Sequence, residues 1–322
     1  MKKLLAILLA VILVFSMTAC KKEEGLTPLM WLVTAPDGQT MYLFGSIHAG
    51  TEDIYPLPDT IMDAFYSCDY LAVEVDIVAF QRNFAAQTKM AVSMLYNDGR
   101  TIEDEIDAEL LERARVLIEE LDISEGIPVK MFDMYKPAMW ISLFEVAAVE
   151  MAGLDAKYGL DEFFLREARK QGMKILEIES IEEQLAMLLG FSEPLQNFMF
   201  AQALEVELGA EALVELYEQW KRGDEEAITS DLKQVLDDSF YEEHKEEFED
   251  YDEFLLLVEL IDEFNDGLLT QRDIGMAEAA MQYMAEGKNV FYVVGLAHFL
   301  GENSVVDLLR KAGYTVERVE IK

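Results

Sequence analysis

Hydrophobic and polar positions along this chain follow two periods, with short β-rich runs alternating with longer stretches of helical spacing. Pro28-Leu-Met-Trp-Leu-Val33 and Thr40-Met-Tyr-Leu-Phe44 flank Pro36-Asp37-Gly38, which predicts two strands joined by a tight turn. Further β-rich runs are Tyr70-Leu-Ala-Val-Glu74-Val-Asp76, Met173-Lys-Ile-Leu-Glu177-Ile-Glu179, Asn289-Val-Phe-Tyr-Val-Val-Gly295 and Gly313-Tyr-Thr-Val-Glu-Arg-Val319, the last expected at a sheet edge. Asp59 is expected to cap a helix reaching Cys68. Helical spacing covers about 80–96, 102–121 and 132–151, with Pro137 marking a kink. Gly159-Leu160-Asp161 opens another helix, to be ended at Gly172 in a left-handed cap. One more begins at Gln184, and a last one covers 302–311. In the Met173 run, a period of two puts Glu177 and Glu179 on one face.

Residues from about 192 to 286 are helical in period, strongly acidic and poor in proline, and read as a helical cap inserted before the last strands. Helix alternating with strand predicts an α/β fold, a central mixed β-sheet flanked by helices. One large domain over 28–322 accommodates all of these elements, and no repeat of solenoid period is present.

The first residues change the setting. Met1-Lys-Lys, an apolar run from Leu4 to Phe15 and Met17-Thr-Ala-Cys20 form a secretion signal over 1–19, too short an apolar run to span a bilayer. Its end resembles a bacterial lipobox, with Met17 in place of the commoner leucine. That resemblance implies cleavage before Cys20, a diacylglyceryl group on its sulfur, a short tether over 20–27 and an extracytoplasmic domain anchored to membrane lipid. Removing Lys2 and Lys3 lowers the formal charge from −37 to −39. A chain with 63 acidic and 26 basic residues in its full sequence excludes nucleic acid as a partner, because that affinity rests on Lys and Arg. Cys68 would be the only cysteine left, so no intrachain disulfide forms, and a lone cysteine after an apolar run reads as a small buried hydrophobe.

Chemistry gathers at the histidines, of which there are three. His48 follows Gly45-Ser-Ile and His298 follows Gly295-Leu-Ala, each at the end of a β-rich run; His244 lies among glutamates and reads as a surface residue. Sites in open α/β sheets collect at the carboxyl ends of strands, so the two Gly-x-x-His turns are expected to bring two imidazoles together. Glu74 stands where a core residue belongs. A buried unpaired carboxylate is expensive, so it either reaches solvent or meets a cation or donor.

Seven pieces in register resemble the TraB/PrgY/GumN family, which includes the Tiki proteins and is related to erythromycin-esterase-like and ChaN-like proteins. They are Tyr42 to His48 with Pro56-Leu-Pro58, Leu71 to Asp76, Lys136-Pro137, Gly159 to Asp161, Ile178-Glu179-Ser180 with Gln184, Arg272-Asp273, and Gly295 to Gly301 with Gly313-Tyr314. The resemblance covers nearly the whole mature chain and implies a divalent-metal-dependent hydrolase acting on a peptide or protein substrate. It carries His48 and His298 over as metal ligands, and Glu74 and Glu179 as carboxylate ligand or general base. The metal would be of the Mn, Co, Fe or Zn kind, with Arg272 stabilising oxyanion charge or clamping a substrate carboxylate. Asp273 departs from the family, where asparagine is common. Two alternatives share the fold: a non-catalytic lipoprotein binding a signalling peptide or haem, and an erythromycin-esterase-like hydrolase that uses a histidine base without metal.

Overall fold

The computed structural model describes residues 25–124, 126–232 and 236–322. The signal segment and Cys20 lie outside them. Six strands form one sheet: β1 (Met30–Thr34), β2 (Thr40–Ser46), β3 (Tyr70–Val73), β4 (Lys174–Glu177), β5 (Val290–Gly295) and β6 (Thr315–Arg318), in the spatial order β4-β3-β5-β2-β1-β6. β2, β5, β3 and β4 run parallel, whereas β1 pairs antiparallel with both β2 and β6. The sheet is therefore mixed and helix-flanked, as the alternating pattern predicts, with β6 at one edge.

Central strands carry the burial. β5 reads Val-Phe-Tyr-Val-Val without a polar residue, and all five are fully buried, as a strand covered on both faces requires. On one face Phe44 and Phe291 meet Phe65 of helix Asp59–Tyr66 and Phe164 of helix Leu160–Gln171, with ring centroids 5.1–5.9 Å apart. Each such ring contributes about 1.5–3 kcal/mol by its burial. On the other face helix Gln271–Ala285 lays Met276, Ala277, Ala280 and Met284 on the sheet, and the Tyr292 hydroxyl donates to Met276 O at 2.8 Å.

Local chemistry moves several boundaries. The 80–96 stretch breaks into Ile77–Phe80 and Phe84–Ser93 because the Asn83 side chain accepts from Ala86 N–H and starts a new helix. Asp107 does the same for Ala108–Glu120. Pro137 does not kink its helix; it occupies the first turn of Pro137–Met151, where a missing N–H costs nothing. Asp59 makes no capping bond and is itself the first helical residue, after Pro58. Gly172 takes φ 71° and closes its helix as expected.

The acidic stretch is mostly helical where it is described, in pieces of different placement joined by short turns. Val206–Arg222 and Gln271–Ala285 contribute to the sheet's core, and the Trp220 indole donates to Gly45 O at 2.9 Å. Asp238–His244 and Tyr251–Asn265 instead gather a small apolar cluster of Phe240, Phe248, Phe254 and Leu257. Among the described residues no helix is long and apolar enough to cross a membrane.

Candidate active site

Three neighbouring strands, β3, β5 and β2, end on the same side of the sheet. Glu74 follows β3 directly, His48 lies two residues past β2, and a single turn of 3₁₀ helix, Leu296–Phe299, carries His298 back over the end of β5. Their meeting point is the bare backbone of Gly295. A Cβ built there would lie 3.3 Å from Glu74 Oε1, 3.7 Å from His298 Cδ2 and 3.8 Å from His48 Nε2. The two imidazoles, far apart in sequence, thus converge with a carboxylate on one spot.

Each ring is aimed by its own aspartate. His48 Nδ1 pairs with Asp161 Oδ2 at 2.8 Å, and Ser46 Oγ donates to the other oxygen, Asp161 Oδ1, at 2.8 Å. His298 Nδ1 pairs with Asp273 Oδ1 at 2.6 Å, both residues being buried. Neither Nε2 has a hydrogen-bond partner among the described residues. The Asp161 carboxylate raises the His48 pKa from 6.5 to about 9, partly opposed by desolvation. The His48 side chain is nevertheless 72% accessible, so the ring faces solvent.

Gly159 makes the first pairing possible. Leu160 N–H donates to Ile47 O at 3.0 Å, and a Cβ at Gly159 would sit 2.3 Å from His48 O. Only glycine lets the start of helix Leu160–Gln171 press that closely on the His48 backbone, which places Asp161 in its first turn under the ring.

Glu74 does meet a cation. Arg272 Nη2 donates to Glu74 Oε2 at 2.5 Å and to Glu179 Oε2 at 2.8 Å, while Nε donates to both Glu179 oxygens at 2.9 and 3.1 Å. Gln184 Nε2 adds bonds to Glu179 Oε2 at 2.9 Å and Glu74 Oε2 at 3.3 Å. Gly295 N–H donates to Glu74 Oε1 at 2.7 Å. Burial alone would push the Glu74 carboxyl up; the charges of His298, His48 and Arg272 and the Gly295 N–H outweigh it and hold it below the usual range.

Glu179 reaches this group because the chain has left β4. Its N–H bonds to Glu74 O at 2.9 Å, so the period-two expectation of a shared face with Glu177 fails beyond the strand, and Glu177 instead accepts from Asp76 N–H. Arg272 Nη1 also donates to Leu268 O at 3.2 Å. Of the five guanidinium N–H donors, one on Nη1 has no partner among the described residues. Arg272 thus joins two carboxylates through one guanidinium.

The donor set fits a divalent ion in type and charge. Imidazoles whose Nδ1 is held by a carboxylate and whose Nε2 is open are the usual orientation of metal-binding histidines. Four carboxylates, of Asp161, Asp273, Glu74 and Glu179, face Arg272 and two imidazoles. No three His, Cys, Asp or Glu side chains among the described residues stand as a ready-made ligand cluster; Arg272 and Gln184 engage both glutamates. Sequence reasoning passed over Asp161, Asp273, Ser46 and Gln184 as functional groups, although all four sit inside matching family pieces. Cys68 is buried with its thiol pushed up to about 11, chiefly by burial. His244 rests against Phe240, outside this site.

The sequence profile of the TraB/PrgY/gumN family matches residues 29–318. An Escherichia coli (strain K12) protein, "Uncharacterized protein YbaP", is 23% identical over 278 residues, covering 86% of this chain and 90% of its own length. The Danio rerio protein "Metalloprotease TIKI2" is 23% identical over 337 aligned positions, covering 92% of this chain, which spans 61% of that protein. A Treponema pallidum (strain Nichols) "Uncharacterized protein" is 26% identical over 163 residues, half of this chain. No solved structure matches the chain. All of the site residues above lie within the matched span, and the chain belongs to the TraB/PrgY/gumN family.

Proposed function

We propose that this protein is a divalent-metal-dependent hydrolase acting on a peptide or protein substrate, held outside the cytoplasm by lipid on Cys20. The observation that carries the reading is the convergence of His48 Nε2, the His298 ring and Glu74 Oε1 around Gly295, with each imidazole aimed by an aspartate. The named metalloprotease relative supports it. His48 and His298 would hold the ion, with Glu74 as a further ligand or as proton acceptor and Glu179 remaining with Arg272. When bound, such an ion lowers the pKa of coordinated water and polarises a carbonyl.

The chain's own groups supply the rest. Asp161 and Asp273 hold the Nδ1 protons, so Nε2 is the atom each ring would offer an ion, on His48 by exchange for the proton that Asp161 favours. Glu74, ionised at neutral pH, is fixed by Arg272 and the Gly295 N–H and keeps negative charge at the meeting point. The exposed His48 ring leaves that side of the site within reach of an extended chain. The anchor rests on Met17-Thr-Ala-Cys20 and on the polar tether after it.

The test is elemental analysis and calorimetry on the chain from Lys21 onward, after chelation and reloading. About one divalent ion per chain, lost in folded His48→Ala and His298→Ala, supports the site and justifies peptide-cleavage screening. No uptake at micromolar concentration by wild type sinks it. The buried Asp273–His298 pair favours one rival, a histidine base working without metal, for which hydrolysis survives chelators. The anchor is tested by mass spectrometry of the mature N-terminus and by release of Cys20→Ala into the medium.

A further inference from the structure

The helix that carries Arg272 and Asp273 is not regular. Tyr251–Asn265 continues into Gln271–Ala285, and Asn265, Asp266, Thr270 and Gln271 all keep right-handed helical angles. Between the two halves Asp266–Thr270 forms a π-helical turn, closed where Gln271 N–H donates to Asp266 O. Such turns hold one residue more than an α turn and are rare.

A contact from outside explains where it sits. A Cβ at Gly267 would lie 2.6 Å from Cε1 and 3.2 Å from Cζ of Phe191. Phe191 is buried, and it ends helix Ile181–Gly190, which carries Gln184. The ring therefore joins the helix of Gln184 to the turn ahead of Arg272. Side chains leaving the turn bond back into it: Gln271 Nε2 donates to Asp266 Oδ1 at 3.1 Å and Arg272 Nη1 to Leu268 O at 3.2 Å.

Phase is what the turn controls. Before it, Phe254, Leu257 and Leu260 are the buried positions; after it, Asp273, Met276, Ala277, Ala280 and Met284 are. Successive helical residues point about 100° apart, so Arg272 and Asp273 reach their separate partners together at only one rotation of the helix. One residue more or fewer in the turn turns both away.

We propose that Gly267 and Phe191 are positioning residues. The Phe191 ring, seated on the bare backbone of Gly267, holds the π turn that aims Arg272 between Glu74 and Glu179 and Asp273 at His298. This rests on the ion-paired group alone and stands whether or not the site takes a metal.

The test reads the Arg272 Nε–H, which donates to both Glu179 oxygens, by ¹⁵N-resolved hydrogen exchange of the full chain, assigned with Arg272→Lys. Gly267→Ala and Phe191→Ala are each expected to speed its exchange by about tenfold or more, as local opening does. Leu257→Ala, a core truncation in the outer cluster, is the control for general destabilisation and is expected to leave that exchange within about twofold of wild type. Wild-type protection in Gly267→Ala and Phe191→Ala overturns the proposal, as does an equal loss in Leu257→Ala at matched stability. If Gly267→Ala does not fold, Phe191→Ala, which adds no atoms, decides alone.

Discussion

Replacing Arg272 by methionine tests the energetic centre of the site. The Arg272, Glu74 and Glu179 side chains keep only 16%, 12% and 15% of their surface accessible, so the substitution strands two carboxylates that shared one guanidinium. Removing one partner of a buried ionic group costs about 3–5 kcal/mol; Gln184 and the Gly295 N–H remain to soften it, so about 3 kcal/mol is expected at pH 7. With a urea slope near 3 kcal/mol/M, the unfolding midpoint falls by about 1 M. The pH dependence has a definite sign. In the variant the two carboxylates lose the guanidinium between them, only the His48 and His298 charges beside Glu74 remain to oppose their repulsion, and one carboxyl is raised above the unfolded value of about 4.3. The folded state then binds more protons than the unfolded state between those two values, so stability rises as pH falls through the raised pKa. The deficit is therefore expected to shrink to about 1–2 kcal/mol at pH 5. Adding Glu74→Gln and Glu179→Gln should recover most of it, since a neutral group needs no counter-charge. A deficit under about 1 kcal/mol at pH 7, or one equally large at pH 5, refutes the reasoning.

Other outcomes follow from the same geometry. The His48 ring should titrate near 9 by NMR, and Asp161→Asn should bring it back toward 6.5; a wild-type midpoint below 7 contradicts the Asp161 pairing. Because that pKa is raised on folding, its contribution to stability is complete below about 6.5 and disappears as pH rises through about 9; on a ring this exposed, it stays small. Asp161→Asn and Asp273→Asn are each expected to weaken divalent-ion affinity by about 10–100-fold by calorimetry without unfolding the chain; unchanged affinity removes their orienting role. Gly159→Ala, with its Cβ directed at His48 O, should cost about 1–3 kcal/mol in urea unfolding, and a neutral result denies the close approach.

The fold was legible wherever local periodicity decided it. All six strands stand where the β-rich runs placed them, because alternation and turn residues act within a few positions. Helix starts were less legible, since Asn83 and Asp107 act through single side-chain bonds inside continuous helical spacing. The histidine pair was legible because each ring follows a glycine turn at the end of an apolar strand. Asp161 and Asp273 were not: an aspartate in the first turn of a helix, as Asp161 is, is favoured there whatever lies beyond it, and Asp273 sits inside continuous helical spacing that carries no mark of His298.

What the sequence by itself determined was the menu of strands and helices, the acidic surface, the two Gly-x-x-His turns and the family resemblance. Only the tertiary structure decided which charges meet. Arg272 is 198 positions from Glu74 and 93 from Glu179, and their distance depends on the order β4-β3-β5 and on the phase of one helix after its π turn. Periodicity reports which face of an element is apolar; it carries no record of strand order or helix rotation, and those two quantities place a guanidinium between two carboxylates.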